Sequence, residues 1–124
     1  MGAIADAVLD RWFRPSFADT KPEVVARFRA MLLSTPADGY AACCEALSDA
    51  DLTPRLGEIS SPTLVVTGAD DPVVTPSAGD ALAAAIPDAV HTVVEGAAHI
   101  ANIEQPEAFT TALLRHLSEE REDG

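Results

Sequence analysis

"SPTLVVTGADDPVVTP", residues 61–76, decides the fold. Residues 63–66 form a short β-branched apolar run that Pro62 starts and Gly68 closes, which reads as a buried strand. Thr75 and Pro76 then take the N-cap and first position of a helix carrying Leu82 and Ile86. "AVHTVVEG", residues 89–96, reads as a second strand ending at Gly96. A last helix opens near Gln105 and Pro106 and sets Phe109, Leu113 and Leu117 at i, i+4 and i+8. The order strand, helix, strand, helix implies an α/β fold with parallel pairing and helices packed on the sheet. Parallel strands are covered on both faces and a two-stranded unit is marginal alone, so the pattern asks for more strands than it contains.

Upstream the texture is helical. Residues 3–13 place Ile4, Val8 and Trp12 on one face with Leu9 and Phe13 beside it. "RPSFAD", residues 14–19, breaks that helix. Thr20 followed by Glu23 reads as a capping box, with Pro22 in the first turn of a helix that aligns Val24, Phe28, Met31 and Leu32. "STPADGY" interrupts again, and a third helix aligns Tyr40, Cys44 and Leu47. The expected segments are 1–50, helical; 51–118, strand and helix; and 119–124, a solvated acidic tail.

Bulk properties narrow the function classes. The chain has 124 residues, 48% hydrophobic and 23% charged, which suits one globular domain and excludes whole-chain disorder. Its 20 acidic against 8 basic side chains give a net charge of −12, which repels phosphate backbones, so nucleic acid is not an expected partner. No apolar run approaches the roughly 20 residues of a membrane span. "MGAIADAVLDRWF" lacks the basic start of a signal peptide, and Asp6 stands where a myristoylation signal wants Ser or Thr. The cytoplasm is the expected compartment, with no membrane association. Adjacent Cys43 and Cys44 do not suit a disulfide and have no metal-ligand spacing around them; small-residue packing is the expectation.

The chemistry lies in the loops after the two strands, where parallel sheets build their sites. The first loop offers Asp70 and Asp71 and the second His99. A carboxylate that accepts from one imidazole nitrogen fixes the tautomer and leaves the other nitrogen as a base. On spacing alone His99 is equally a loop histidine capping the last helix, and Asp71 before Pro72 also reads as a turn residue, although its position relative to Gly68 favours it over Asp70 as the acid. His91, within a strand, and His116, near a helix end, read as structural. Arg11 and Arg14 read as solvated surface.

These two stretches resemble the C-terminal half of an α/β-hydrolase, whose triad runs Ser, Asp or Glu, His along the chain. The resemblance puts the acid three residues after Gly68, on Asp71, leaving Asp70 in the turn. It puts the histidine at His99, before Glu104, Pro106, Glu107 and Phe109. More narrowly, "DRWFRPSF", "PEVVARFRAMLLSTPADGYAACCEALSDADL" and the two loops are similar to 3-oxoadipate enol-lactonases of the β-ketoadipate route, over residues 1–118. That likeness implies that residues 1–50 are a cap remainder and a core-packing helix, with Trp12 as a wall of the substrate pocket. It implies a small enol-lactone substrate and no metal or organic cofactor.

One element departs from the family. No G-x-S-x-G nucleophile elbow occurs in these 124 residues, and "TPSAG" around Ser77 lacks the first glycine and follows the acid. The expectation is a C-terminal portion whose serine and oxyanion amides lie upstream of Met1, inactive by itself. The alternatives are a non-catalytic remnant, an interaction module that buries its sheet edge against another polypeptide, or a related esterase or haloperoxidase-like hydrolase; self-association of the bare chain through its exposed sheet edge is expected. A fused decarboxylase, as in some relatives, is neither implied nor excluded.

Overall fold

The computed structural model describes residues 1–119; apart from Glu119, the acidic tail expected at 119–124 lies outside the described residues. The chain divides into two compact units, 1–52 and 53–124.

The first unit is all helix: α1 (Gly2–Trp12), α2 (Pro15–Thr20), α3 (Pro22–Ser34) and α4 (Ala37–Asp49). Its aromatic cluster turns on Phe13, buried just after α1, which stacks on Phe17 at 5.4 Å and meets Phe28 edge-on at 5.1 Å. The α1 stripe that is buried is Ala5, Leu9 and Phe13, while Ile4 on the expected face is exposed. Ala5 is too small to weigh in a hydrophobic pattern, yet it is fully buried.

Two further expectations fail in this unit, and a third holds only in part. The helix does end before residues 14–19, at Trp12, but Pro15 then opens α2 from its first position, where a missing N–H does no harm. Thr20 belongs to α2, and its hydroxyl donates back to the carbonyls of Ser16 and Phe17, so no capping box forms and Lys21 precedes α3 without a side-chain cap. Cys43 and Cys44 are exposed free thiols and not packing residues, and Leu47 in the same helix is 77% exposed.

The second unit runs from a 3₁₀ segment (Thr53–Glu58) through β1 (Leu64–Gly68), α5 (Pro76–Ala85), β2 (Val90–Val94) and α6 (Ala101–Glu104) to α7 (Pro106–Glu119). β1 and β2 pair in parallel, with Leu64 opposite Val90 and Gly68 opposite Val94, so the expected two-strand parallel sheet is the sheet observed. The Thr75 hydroxyl accepts from the Ala78 N–H and caps α5 as its sequence suggests. One sheet face packs Val66 and Val94 with Ala97, Ala101 and Phe109. The other turns Thr67 and His91 toward α5, where Gly79 leaves room for the imidazole that a Cβ would strike.

Cover on the sheet is incomplete. Val90 is 54% exposed, and Leu113, Leu114 and Leu117 of α7 are exposed as well. α6 has no counterpart in the periodicity, since four residues are too few to show one. No helix among the described residues is long and apolar enough to cross a membrane.

Candidate active site

The two loops join by continuing the sheet's backbone pairing past its last residues. Ala69 donates to the carbonyl of Val94 at 3.0 Å, and Asp70 donates to that of Ala97 at 2.9 Å. Gly96 turns the second loop with φ of 68°, a left-handed conformation that glycine adopts without strain. The acid-bearing and histidine-bearing loops are thereby laced together before any side chain is considered.

On that frame the side chain of Asp71 is only 4% exposed, and its two oxygens have separate tasks. Oδ1 accepts from the backbone N–H groups of Val73 at 2.7 Å and Val74 at 3.0 Å. Oδ2 lies 2.9 Å from His99 Nδ1. A carboxylate only accepts, so Nδ1 carries the proton and Nε2 of the neutral ring keeps its lone pair. The His99 side chain is 30% exposed, so a buried acid orients a reachable base. Asp70 contributes its backbone to the lacing and is exposed, and Asp71 alone of the two meets the imidazole.

Two contacts of the histidine loop were not legible as such. The buried carboxylate of Glu104 accepts from the N–H of Ala98 at 2.5 Å, and the side-chain amide of Gln105 donates to the carbonyl of Gly96 at 2.9 Å. The only signal in the sequence is a glutamate before the proline that opens α7. His91 makes a second imidazole–carboxylate pair, with Nδ1 donating to Asp80 at 2.7 Å and Nε2 2.8 Å from the hydroxyl of buried Thr67. Both ring nitrogens are thus occupied, whereas His99 is held through Nδ1.

Two further candidates are described by their own surroundings. Trp12 ends α1, half-buried and edge-on to Phe28 at 6.2 Å. Ser77 sits in the first turn of α5, its hydroxyl 3.0 Å from that of Thr75. Among the described residues no three His, Cys, Asp or Glu side chains converge to hold a metal ion.

Comparison with known proteins gives this geometry its context. Over 110 residues, 89% of its length, the chain is 46% identical to 3-oxoadipate enol-lactonase 2 of Acinetobacter baylyi, covering 41% of that protein. It is 39% identical over 99 residues to 3-oxoadipate enol-lactonase 1 of the same organism, covering 37% of it. The chain therefore spans about two fifths of the length of these curated relatives. The enol-lactonase of Burkholderia xenovorans superposes with a TM-score of 0.92 at 42% identity, over 95% of this chain and 45% of that one. A thermophilic esterase of Thermogutta terrifontis with malate bound does so with 0.88 at 34%, over 95% and 44%. Residues 9–106, most of the chain and both laced loops, match the model of the alpha/beta hydrolase fold, and the chain belongs to that family.

Proposed function

We propose that this chain supplies the acid and base of a serine hydrolase that opens a small carboxylated enol-lactone, 3-oxoadipate enol-lactone, to 3-oxoadipate. The observation that carries the reading is the Asp71–His99 bond, which leaves Nε2 free to take a proton. The substrate class is supported by the likeness to two enol-lactonases of Acinetobacter and one of Burkholderia. The malate in the Thermogutta esterase, a short dicarboxylate like the proposed product, points the same way.

In this reading a serine outside these residues attacks the lactone carbonyl while His99 Nε2 takes its proton, and Asp71 stabilises the imidazolium. The tetrahedral intermediate expels the ring oxygen as an enolate, which takes up a proton and becomes a ketone. Water, deprotonated by the same nitrogen, then releases the carboxylate from the acyl-enzyme. Trp12 is proposed as a wall of the substrate pocket. The 124 residues hold no G-x-S-x-G, so the bare chain is expected to hydrolyse nothing at enzyme-like rates. Each strand has one neighbour among the described residues, which supports self-association of the bare chain through the strand edges.

The test is a chimera in which this chain replaces the matching C-terminal segment of the Acinetobacter enzyme. The expected result is enol-lactone hydrolysis that His99→Ala abolishes. A folded chimera inert toward enol-lactones, or activity indifferent to His99→Ala, would overturn the assignment.

A further inference from the structure

We propose that Glu104 is a positioning residue for His99, acting through the peptide unit between Ala97 and Ala98. That single peptide is held at both ends: its carbonyl accepts from Asp70 on the acid loop, and its N–H donates to the Glu104 carboxylate. His99 is the next residue along. The orientation of this peptide therefore sets both how the two loops are laced and where the imidazole starts.

The chemistry of the contact favours a specific role over incidental packing. Glu104 is 7% exposed, and a carboxylate is withdrawn from water at a penalty unless hydrogen bonds compensate it. A bond from an amide to a carboxylate is roughly twice as strong as one between neutral groups. It comes from the end of α6, where Gln105 also takes hold of the Gly96 carbonyl, so the loop from Gly96 to Ala98 is pinned from one short helix. Packing around Gly68 completes the constraint, because a Cβ there would overlap the carbonyls of Ala97 and Ala98. The carbonyls of Ala97 and Ala98 thus lie directly against the end of β1.

The role as a positioner in catalysis rests on the hydrolase reading, but its physical content is testable on the chain itself. Long-range proton–nitrogen spectra of the imidazoles at neutral pH report which ring nitrogen carries the proton, and His91, held by Asp80 and Thr67, serves as internal reference. The expected result is an Nδ1–H tautomer for His99 in the parent chain and in Glu104→Gln, whose amide oxygen still accepts from Ala98. In Glu104→Ala the His99 signal collapses toward a mixture of tautomers while that of His91 is unchanged. A His99 signature that survives Glu104→Ala overturns the proposal. So does its loss in Glu104→Gln with His91 intact, and so does loss of both histidine signatures in Glu104→Ala, which marks a general folding role. A parent chain without the His99 signature removes the Asp71 pair itself, and with it the hydrolase reading as well as the positioning role.

Discussion

The Cα of Gly68 lies so close to the carbonyl of Ala98 that a single added carbon would overlap its oxygen. This contact closes the sheet at the point where both functional loops leave it, and it explains why the residue ending β1 is a glycine. Gly68→Ala should destabilise the second unit by about 3 kcal/mol, the upper part of the usual range for overpacking. The backbone must yield, since the obstructing atoms are not a flexible side chain. Urea unfolding of the two chains measures the loss, and an unchanged midpoint would show that the loops part at no penalty.

Asp71 offers a sharper test of the proposed chemistry. Its Oδ1 already takes two backbone N–H groups, so in Asp71→Asn the amide carbonyl keeps that place and the NH₂ group faces His99. Nδ1 must then accept, and the ring proton moves to Nε2, the nitrogen that should be free. In the active chimera kcat should fall about ten-thousand-fold with KM little changed, as for the equivalent change in serine proteases. A loss smaller than about tenfold would mean that tautomer control is not what Asp71 provides.

How much of this was legible from sequence follows from the range of the forces involved. The β-branched run before Gly68 and the Thr75–Pro76 helix start are local signals, and both elements stand where those residues predict. The meeting of Asp71 with His99 was legible because parallel neighbours leave their loops at one sheet end. The helical unit was read less well, because its pattern depends on what packs. Pro15 reads as a helix breaker, but it also begins a second short helix, whose Phe17 stacks on Phe13. Thr20 could cap α3 or bond backward within α2, and the structure has the second. Glu104 was visible as a letter in a motif. Its task was not, because a side chain that holds a backbone N–H six residues upstream leaves no periodicity.

The pair formed by Thr67 and His91 tests how the strands are tied on the α5 side. Thr67→Val keeps the shape and removes the hydroxyl, leaving His91 Nε2 beneath α5 without its 2.8 Å partner. The His91 side chain is 7% exposed, so water does not readily replace the lost bond. The expected destabilisation is about 1–3 kcal/mol, the usual range for leaving a buried polar atom unsatisfied. Thr67→Ser, which restores the hydroxyl, should recover most of it. A midpoint unchanged in Thr67→Val would show that the hydroxyl contributes nothing to the tie, and a loss confined to Thr67→Ser would assign the effect to the methyl group instead.

Asp6 and Arg29 join α1 to α3 at 2.8 Å, and here the prediction concerns pH. The hydrogen bond from Arg29, and then its charge, hold the Asp6 carboxyl below its ordinary value of 3.8. A carboxyl whose folded-state value is depressed stabilises the fold when ionised. That contribution is fully present above the ordinary value and is lost as pH falls through the depressed one. Asp6→Asn should therefore lower the thermal midpoint slightly at neutral pH and make no difference well below pH 3.8. Both side chains are substantially exposed, so about 1 M salt, with a screening length near 3 Å, should shrink the neutral-pH difference too. Thermal melts of the two chains across pH and salt provide the check. A deficit in Asp6→Asn that persists undiminished in acid would mean that the residue acts through helix packing and not through its charge.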